Sequence, residues 1–148
     1  MAVTASGVFR RTAIERSDQR VSWERTDQAF FASGACHVLA WVCRDTYPDQ
    51  ELGLAAMYLG DFEHPLHVYA RWGTWAFDAN GWNPESELLE ANSAFEGLPV
   101  REVETISSDL REFCEKHVHR QPHQYWADPT ERARDYVNRY TPPWLSGC

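Results

Sequence analysis

A chain of 148 residues, 43% hydrophobic and 14% aromatic, is long and apolar enough for one domain with a packed core, which excludes a disordered polymer. Its formal charge is −8, with 22 acidic residues against 14 Lys and Arg and Lys116 the one lysine; binding to a phosphate backbone needs clustered cations, so nucleic acid is not an expected partner. No window approaches the roughly 18 apolar residues of a membrane span, and residues 1–17 lack the apolar stretch of a signal peptide, so neither a membrane partner nor classical secretion is expected.

Residues 1–22 are polar, with alternating charge around Arg10-Arg11 and Glu15-Arg16, and are expected to be a loosely ordered or edge segment ahead of a single domain over 23–148. The spacing of Ala35, Val38, Leu39 and Val42 predicts a helix from about Ser33 to Arg44, with Ser33 as its N-cap and Tyr47-Pro48-Asp49 as its stop. Leu54–Leu59 is a continuous apolar run, read as a buried strand with helix left open by periodicity alone. Leu66–Arg71 and Thr74–Asp78 alternate with period two and predict two further strands. Asn83-Pro84 is a start signal for a short helix over Leu88-Leu89. Two apolar stripes predict C-terminal helices, one through Leu110, Phe113, Cys114, His117 and Val118, the other through Ala133, Tyr136, Val137 and Tyr140 with Asp128 as its cap. The fold class expected is therefore α+β, a central antiparallel sheet with the first helix packed on it and helices completing the C-terminal third.

Four cysteines stand at 36, 43, 114 and 148, without a Cys-x-x-Cys pair. Cys36 and Cys43 lie two turns apart on one expected helix, too far for a relaxed disulfide, so reduced thiols in a cytoplasmic protein are expected. Cys36 differs from the others in its position. A thiol becomes a strong nucleophile when it ionises, and a helix N-terminus with an imidazolium beside it lowers its pKa. First-turn backbone N–H groups also face any oxyanion that develops there. Cys43, further along the same helix, receives neither effect.

The two alternating strands supply an imidazole and a carboxylate. If Trp72-Gly73 is a two-residue turn with Gly73 at positive φ, Arg71 pairs with Thr74, Ala70 with Trp75, and His67 with Asp78. Residues directly opposite share one face of the sheet, so Asp78 is placed to fix the tautomer of His67 and to stabilise its cation.

Gly34-Ala35-Cys36-His37, His67-Val68-Tyr69 and Phe77-Asp78 together resemble the papain-like cysteine enzymes, in their transglutaminase-like and NlpC/P60-like branch. The resemblance covers about residues 33–82. It implies a nucleophile helix packed on an antiparallel sheet, with Cys36 as nucleophile, His67 as base and then acid, and Asp78 as orienter. It also implies hydrolysis of an amide or ester bond in a peptide, amide or acyl substrate through a thioester, with no cofactor; acyl transfer from the same thioester is the alternative. The family's oxyanion-hole Gln, about six residues before the Cys, is matched here only by Gln28, eight before it.

Other readings compete. His37 follows the nucleophile and reads as a surface or packing residue, and His64 is a rival base without a carboxylate in register. His117, His119 and His123 lie near Cys114 and Asp128 and contain zinc-ligand types without a zinc spacing. Cys36, His64 and His67 are a second conceivable ligand set. Trp72, Trp75 and Trp82 are either the lining of a groove or hairpin packing. A non-catalytic acidic binding protein of the same fold is the remaining class.

Overall fold

The computed structural model describes residues 3–146. In chain order its helices and strands are α1 (Ala13–Ser17), α2 (Gln19–Trp23), α3 (Asp27–Ala32), α4 (Cys36–Thr46), β1 (Gly53–Leu59), β2 (His67–Trp72), β3 (Trp75–Asp78), β4 (Gly81–Pro84), α5 (Glu85–Glu96), β5 (Val100–Thr105), α6 (Leu110–His117), α7 (Thr130–Val137) and α8 (Pro143–Ser146). The strands form one antiparallel sheet in the order β4-β3-β2-β1-β5.

The chain is thus α+β. β1 is flanked by strands on both edges and buried on both faces, which is why its sequence is a continuous apolar run rather than an alternating one. Leu54, Ala56, Val68, Ala70 and Phe77 face one core with α4, while Ala55, Met57, Leu59, Tyr69 and Ala76 face a second core closed by Leu88 of α5. The expected single stripe on α4 is too narrow. His37 through Cys43 are all buried, because α4 lies between the sheet and the helices α6 and α7.

Four local expectations are corrected. The β2–β3 turn is Gly73-Thr74, one residue later than Trp72-Gly73, and the pairs are Trp72 with Trp75, Arg71 with Ala76 and Ala70 with Phe77. Ser33 closes α3 rather than capping α4, which begins at Cys36 after Ala35 without a side-chain cap. Val118 is not part of the α6 stripe; it ends the helix at φ 56° and is 86% exposed. At α7, Asp128 bonds the N–H and hydroxyl of Thr130, but the helix itself begins at Thr130 behind Pro129.

Two strands, β4 and β5, have no counterpart among the expected elements. β5 carries Val100 and Val103, three apart, both packed in the α5-side core. A register irregularity opposite Tyr58 and Leu59 absorbs the extra residue, and this breaks the period-two signal. Gly81-Trp82-Asn83-Pro84 pairs with β3 through a tight turn at Ala79-Asn80, and α5 follows it directly at Glu85, running for 12 residues.

Residues 3–22 are folded rather than loose. Their polar character is spent on capping: Thr12 and Glu15 form a reciprocal capping box on α1, and the Asp18 carboxylate caps α2. The segment is also tied across the molecule, Thr4 N–H to Asn80 Oδ1 at 3.1 Å and Ser6 N–H to Asn92 Oδ1 at 2.9 Å. Arg132 of α7 clamps this region from the other side. Its guanidinium bonds Asp27 at 2.7 Å and the carbonyls of Trp23 and Arg25 at 2.8 and 2.9 Å, and stacks over Phe30 at 4.3 Å. Trp72 and Trp82 pack on Trp144 of α8, with ring centroids 5.2 and 5.5 Å apart, so these two belong to hairpin packing.

Candidate active site

Gly34 has φ +111°, a left-handed conformation that side chains rarely adopt, and its carbonyl accepts a hydrogen bond from the Tyr125 hydroxyl. This kink lets the chain turn from α3 straight into α4, leaving Cys36 as the first residue of the helix. No side-chain hydrogen bond caps the first-turn amides of α4. Cys36 is partly buried and borders an open cleft of about 390 Å³ whose walls include Ser6, Arg11, Gly34 and Arg120. Gln28 is not among the residues that line it.

His67 is 1% exposed and Asp78 4%, and Nε2 of the imidazole lies 2.9 Å from Oδ2 of the carboxylate. The contact survives the corrected turn for a geometric reason. Moving a two-residue turn by one position shifts the pairing by two residues, which keeps every side chain on its face. By continuation of the register Asp78 falls opposite Tyr69, and His67 becomes its diagonal neighbour, a separation that an imidazole and a carboxylate span together. Asp78 is fixed in turn by Asn80, whose N–H bonds Oδ1 at 2.8 Å and whose side-chain amide bonds it at 3.2 Å.

Cys36 does not approach across the face of the sheet. α4 covers the opposite face, through Val68, Ala70 and Phe77, while His67 alternates with these on the side of Tyr69. His67 opens β2, so the imidazole lies at the end of the sheet. Its Nδ1 is buried without a hydrogen-bond partner, and Cys36 is, beside Asp78, the group near enough to raise the ring. Burial alone would push the Cys36 thiol up; the neighbouring imidazoles of His37 and His67 outweigh it and hold the thiol well below its ordinary range. Burial would likewise push His67 down, and it is outweighed by Asp78 and Cys36, so the imidazole holds its proton more tightly than usual.

His37, expected to be a surface or packing residue, is 1% exposed; its Nε2 lies 2.7 Å from the carbonyl of Arg120, its Nδ1 is buried without a hydrogen-bond partner, and Cys114 and Cys36 are near enough to raise it. Two buried imidazolium rings against one thiolate repel each other, and only His67 has a carboxylate. The thiol proton is therefore assigned to His67, while Cys114, Cys36 and the Arg120 carbonyl outweigh burial and raise His37 as well, to about 9. The signal available in the sequence was adjacency alone, which on an isolated helix points a side chain elsewhere; the loop after α6 brings Arg120 back over it.

Of the remaining candidates, His119 packs edge-on against His37, with ring centroids 4.8 Å apart, and lines the same cleft. His64 is exposed and pairs with His117, Nδ1 to Nδ1 at 3.1 Å. Among the described residues, no group of three or more His, Cys, Asp or Glu is arranged to hold a metal ion. Cys36, Cys43 and Cys114 are free thiols, and burial drives Cys43 far up, away from reactivity; Cys148 lies outside the described residues. No helix among the described residues is long and apolar enough to cross a membrane. Comparison with protein-family models, curated proteins and solved structures finds no match for the chain.

Proposed function

We propose that the chain is a thiol hydrolase of amide or ester bonds on a papain-like arrangement, with Cys36 as nucleophile, His67 as base and then acid, and Asp78 as the orienting carboxylate. The observation that carries this reading is the buried His67 imidazole, held by Asp78 at Nε2, its Nδ1 left without a partner and Cys36 near enough to raise it.

In the resting pair the proton has left sulfur for His67. The thiolate attacks the acyl carbon, a C–S bond forms, and the carbonyl electron pair moves onto oxygen, facing the uncapped first-turn amides of α4. Collapse expels the amine or alcohol, which takes the proton from His67 and leaves a thioester. Water then attacks the thioester and gives a proton to His67. The C–S bond breaks, the acid departs, and thiolate and imidazolium are restored. An amine in place of that water yields acyl transfer by the same steps.

The test is the pH dependence of Cys36 alkylation by iodoacetamide, read by peptide mass spectrometry. An ordinary thiol of pKa about 8.5 loses roughly fiftyfold in rate between pH 8.5 and 6.5. Cys36 is expected to lose less than about threefold. A fiftyfold loss would falsify the activated nucleophile.

A further inference from the structure

The wall of the cleft beside Cys36 is cationic, although the chain as a whole is acidic. Arg11 lies over Gly34, so closely that a methyl group added to that glycine would sit 3.4 Å from its Nε and Cζ. Arg120 stands on the other side, its guanidinium 5.7 Å from the centre of the Tyr125 ring and its backbone carbonyl bonded to His37. Tyr125 bonds the Gly34 carbonyl, so the two arginines flank the turn that delivers the nucleophile.

Neither guanidinium makes an ion pair or hydrogen bond to a carboxylate among the described residues, and none of the residues lining the cleft is acidic. The contrast with their neighbours is direct: Arg10 is paired with Glu96 at 2.7 Å, Arg25 with Glu15 at 3.6 Å and Arg132 with Asp27 at 2.7 Å. Glu15, the acid that feels the charge of Arg11, is already committed to Thr12 and Arg25. Partial burial, and then the proximity of Arg120, hold Arg11 below the ordinary guanidinium range, as expected of two like charges left facing each other. A guanidinium fork is the group best suited to grip a planar or tetrahedral oxyanion.

We infer that Arg11 and Arg120 form an anion subsite, so that the acyl donor taken by Cys36 carries a carboxylate or phosphate group beside its scissile carbonyl. The inference rests on Cys36 being the nucleophile proposed above and specifies which substrate it meets. The field in the cleft gathers anions against a repelling surface, and the subsite holds them next to the sulfur.

Iodoacetate and iodoacetamide carry the same reactive carbon and differ in one negative charge. Their rates at Cys36 are measured near pH 6.5, and the acetate rate is divided by the acetamide rate of the same protein, which cancels changes in the thiol itself. The ratio is expected to exceed that of free cysteine, to fall with added salt, and to drop about fivefold for Arg11→Gln or Arg120→Gln, the factor of one unit charge at contact distance in high dielectric. Arg→Lys at either position should restore most of it. Protection of Cys36 by glutarate assigns the subsite to carboxylate-bearing donors, and stronger protection by inorganic phosphate assigns it to phosphorylated ones. A ratio equal to that of free cysteine, insensitive to salt and to both substitutions, overturns the subsite while rapid acetamide labelling leaves the nucleophile standing. Slow labelling by both reagents overturns the nucleophile instead.

Discussion

Replacing Asp78 by Asn removes one charge from a buried site with almost no change in shape. The carboxylate accepts from His67 Nε2 at 2.9 Å and from two donors of Asn80. A hydrogen bond to a charged group contributes about 1.5–3 kcal/mol, and each 1.36 kcal/mol of differential interaction is about one pKa unit. Loss of the carboxylate destabilises the His67 cation by that amount, and the Cys36 thiolate with it. The midpoint of the alkylation profile should therefore rise by roughly one to two units in D78N, and the rate at pH values below the wild-type midpoint should fall about 10- to 100-fold. The assay is iodoacetamide labelling of Cys36 across pH 5–9, with circular dichroism to establish that the variant is folded. Asn80→Ala, which keeps the backbone N–H bond to Asp78 but removes the side-chain one together with the tie to Thr4, should move the midpoint in the same direction by less. Superimposable profiles for the wild type and folded D78N would mean that Asp78 does not hold the charge on His67, and the triad argument would fail.

Three further outcomes are expected. In a Cys36→Ala background His67 is still raised by Asp78, so its contribution to stability is complete below the unfolded-state pKa of about 6.5 and is lost as the pH rises through the folded value; the denaturant stability lost on adding His67→Gln should shrink between pH 6 and 10, and a constant difference would contradict the linkage. Gly81→Ala should cost about 3 kcal/mol or more by chemical denaturation, because Gly81 has φ +83° and an added Cβ would stand 2.5 Å from the Tyr140 ring; a change under about 0.5 kcal/mol would show that neither strain nor clash operates. Arg132→Lys should cost about 2 kcal/mol despite keeping the charge, since one ammonium cannot reach Asp27 and two carbonyls in a single plane; an unchanged denaturation midpoint would refute the clamp.

Much of the scaffold was legible because period and order are local properties. Val38, Leu39 and Val42 mark α4, and the alternation through Val68, Ala70 and Phe77 marks β2 and β3. The His67–Asp78 contact was legible for a subtler reason. In a hairpin with a two-residue loop, paired positions always sum to an odd number, so an odd-numbered and an even-numbered residue share a face wherever the loop sits. The assumed turn was displaced by one residue, and the conclusion about the face survived while the direct pairing did not. What was not legible depended on distant parts of the chain. Nothing near His37 announces that Arg120 will return over it, and nothing near Arg11 announces that residues read as loose will wall the cleft. β5 escaped because an irregular register hides its periodicity. The absence of a cap on α4 was masked by Ser33, a good capping residue that serves α3 instead.

The tie between Thr4 and Asn80 carries a dynamic consequence. Asn80 binds Thr4 through both its amide oxygen and its amide nitrogen, and the same residue grips Asp78. The strap that leads into the cleft wall and the brace behind the carboxylate are therefore one mechanical unit, and lifting the strap loosens the brace. The backbone amides of Thr4 and Asn80 are therefore expected to exchange with deuterium at a common rate.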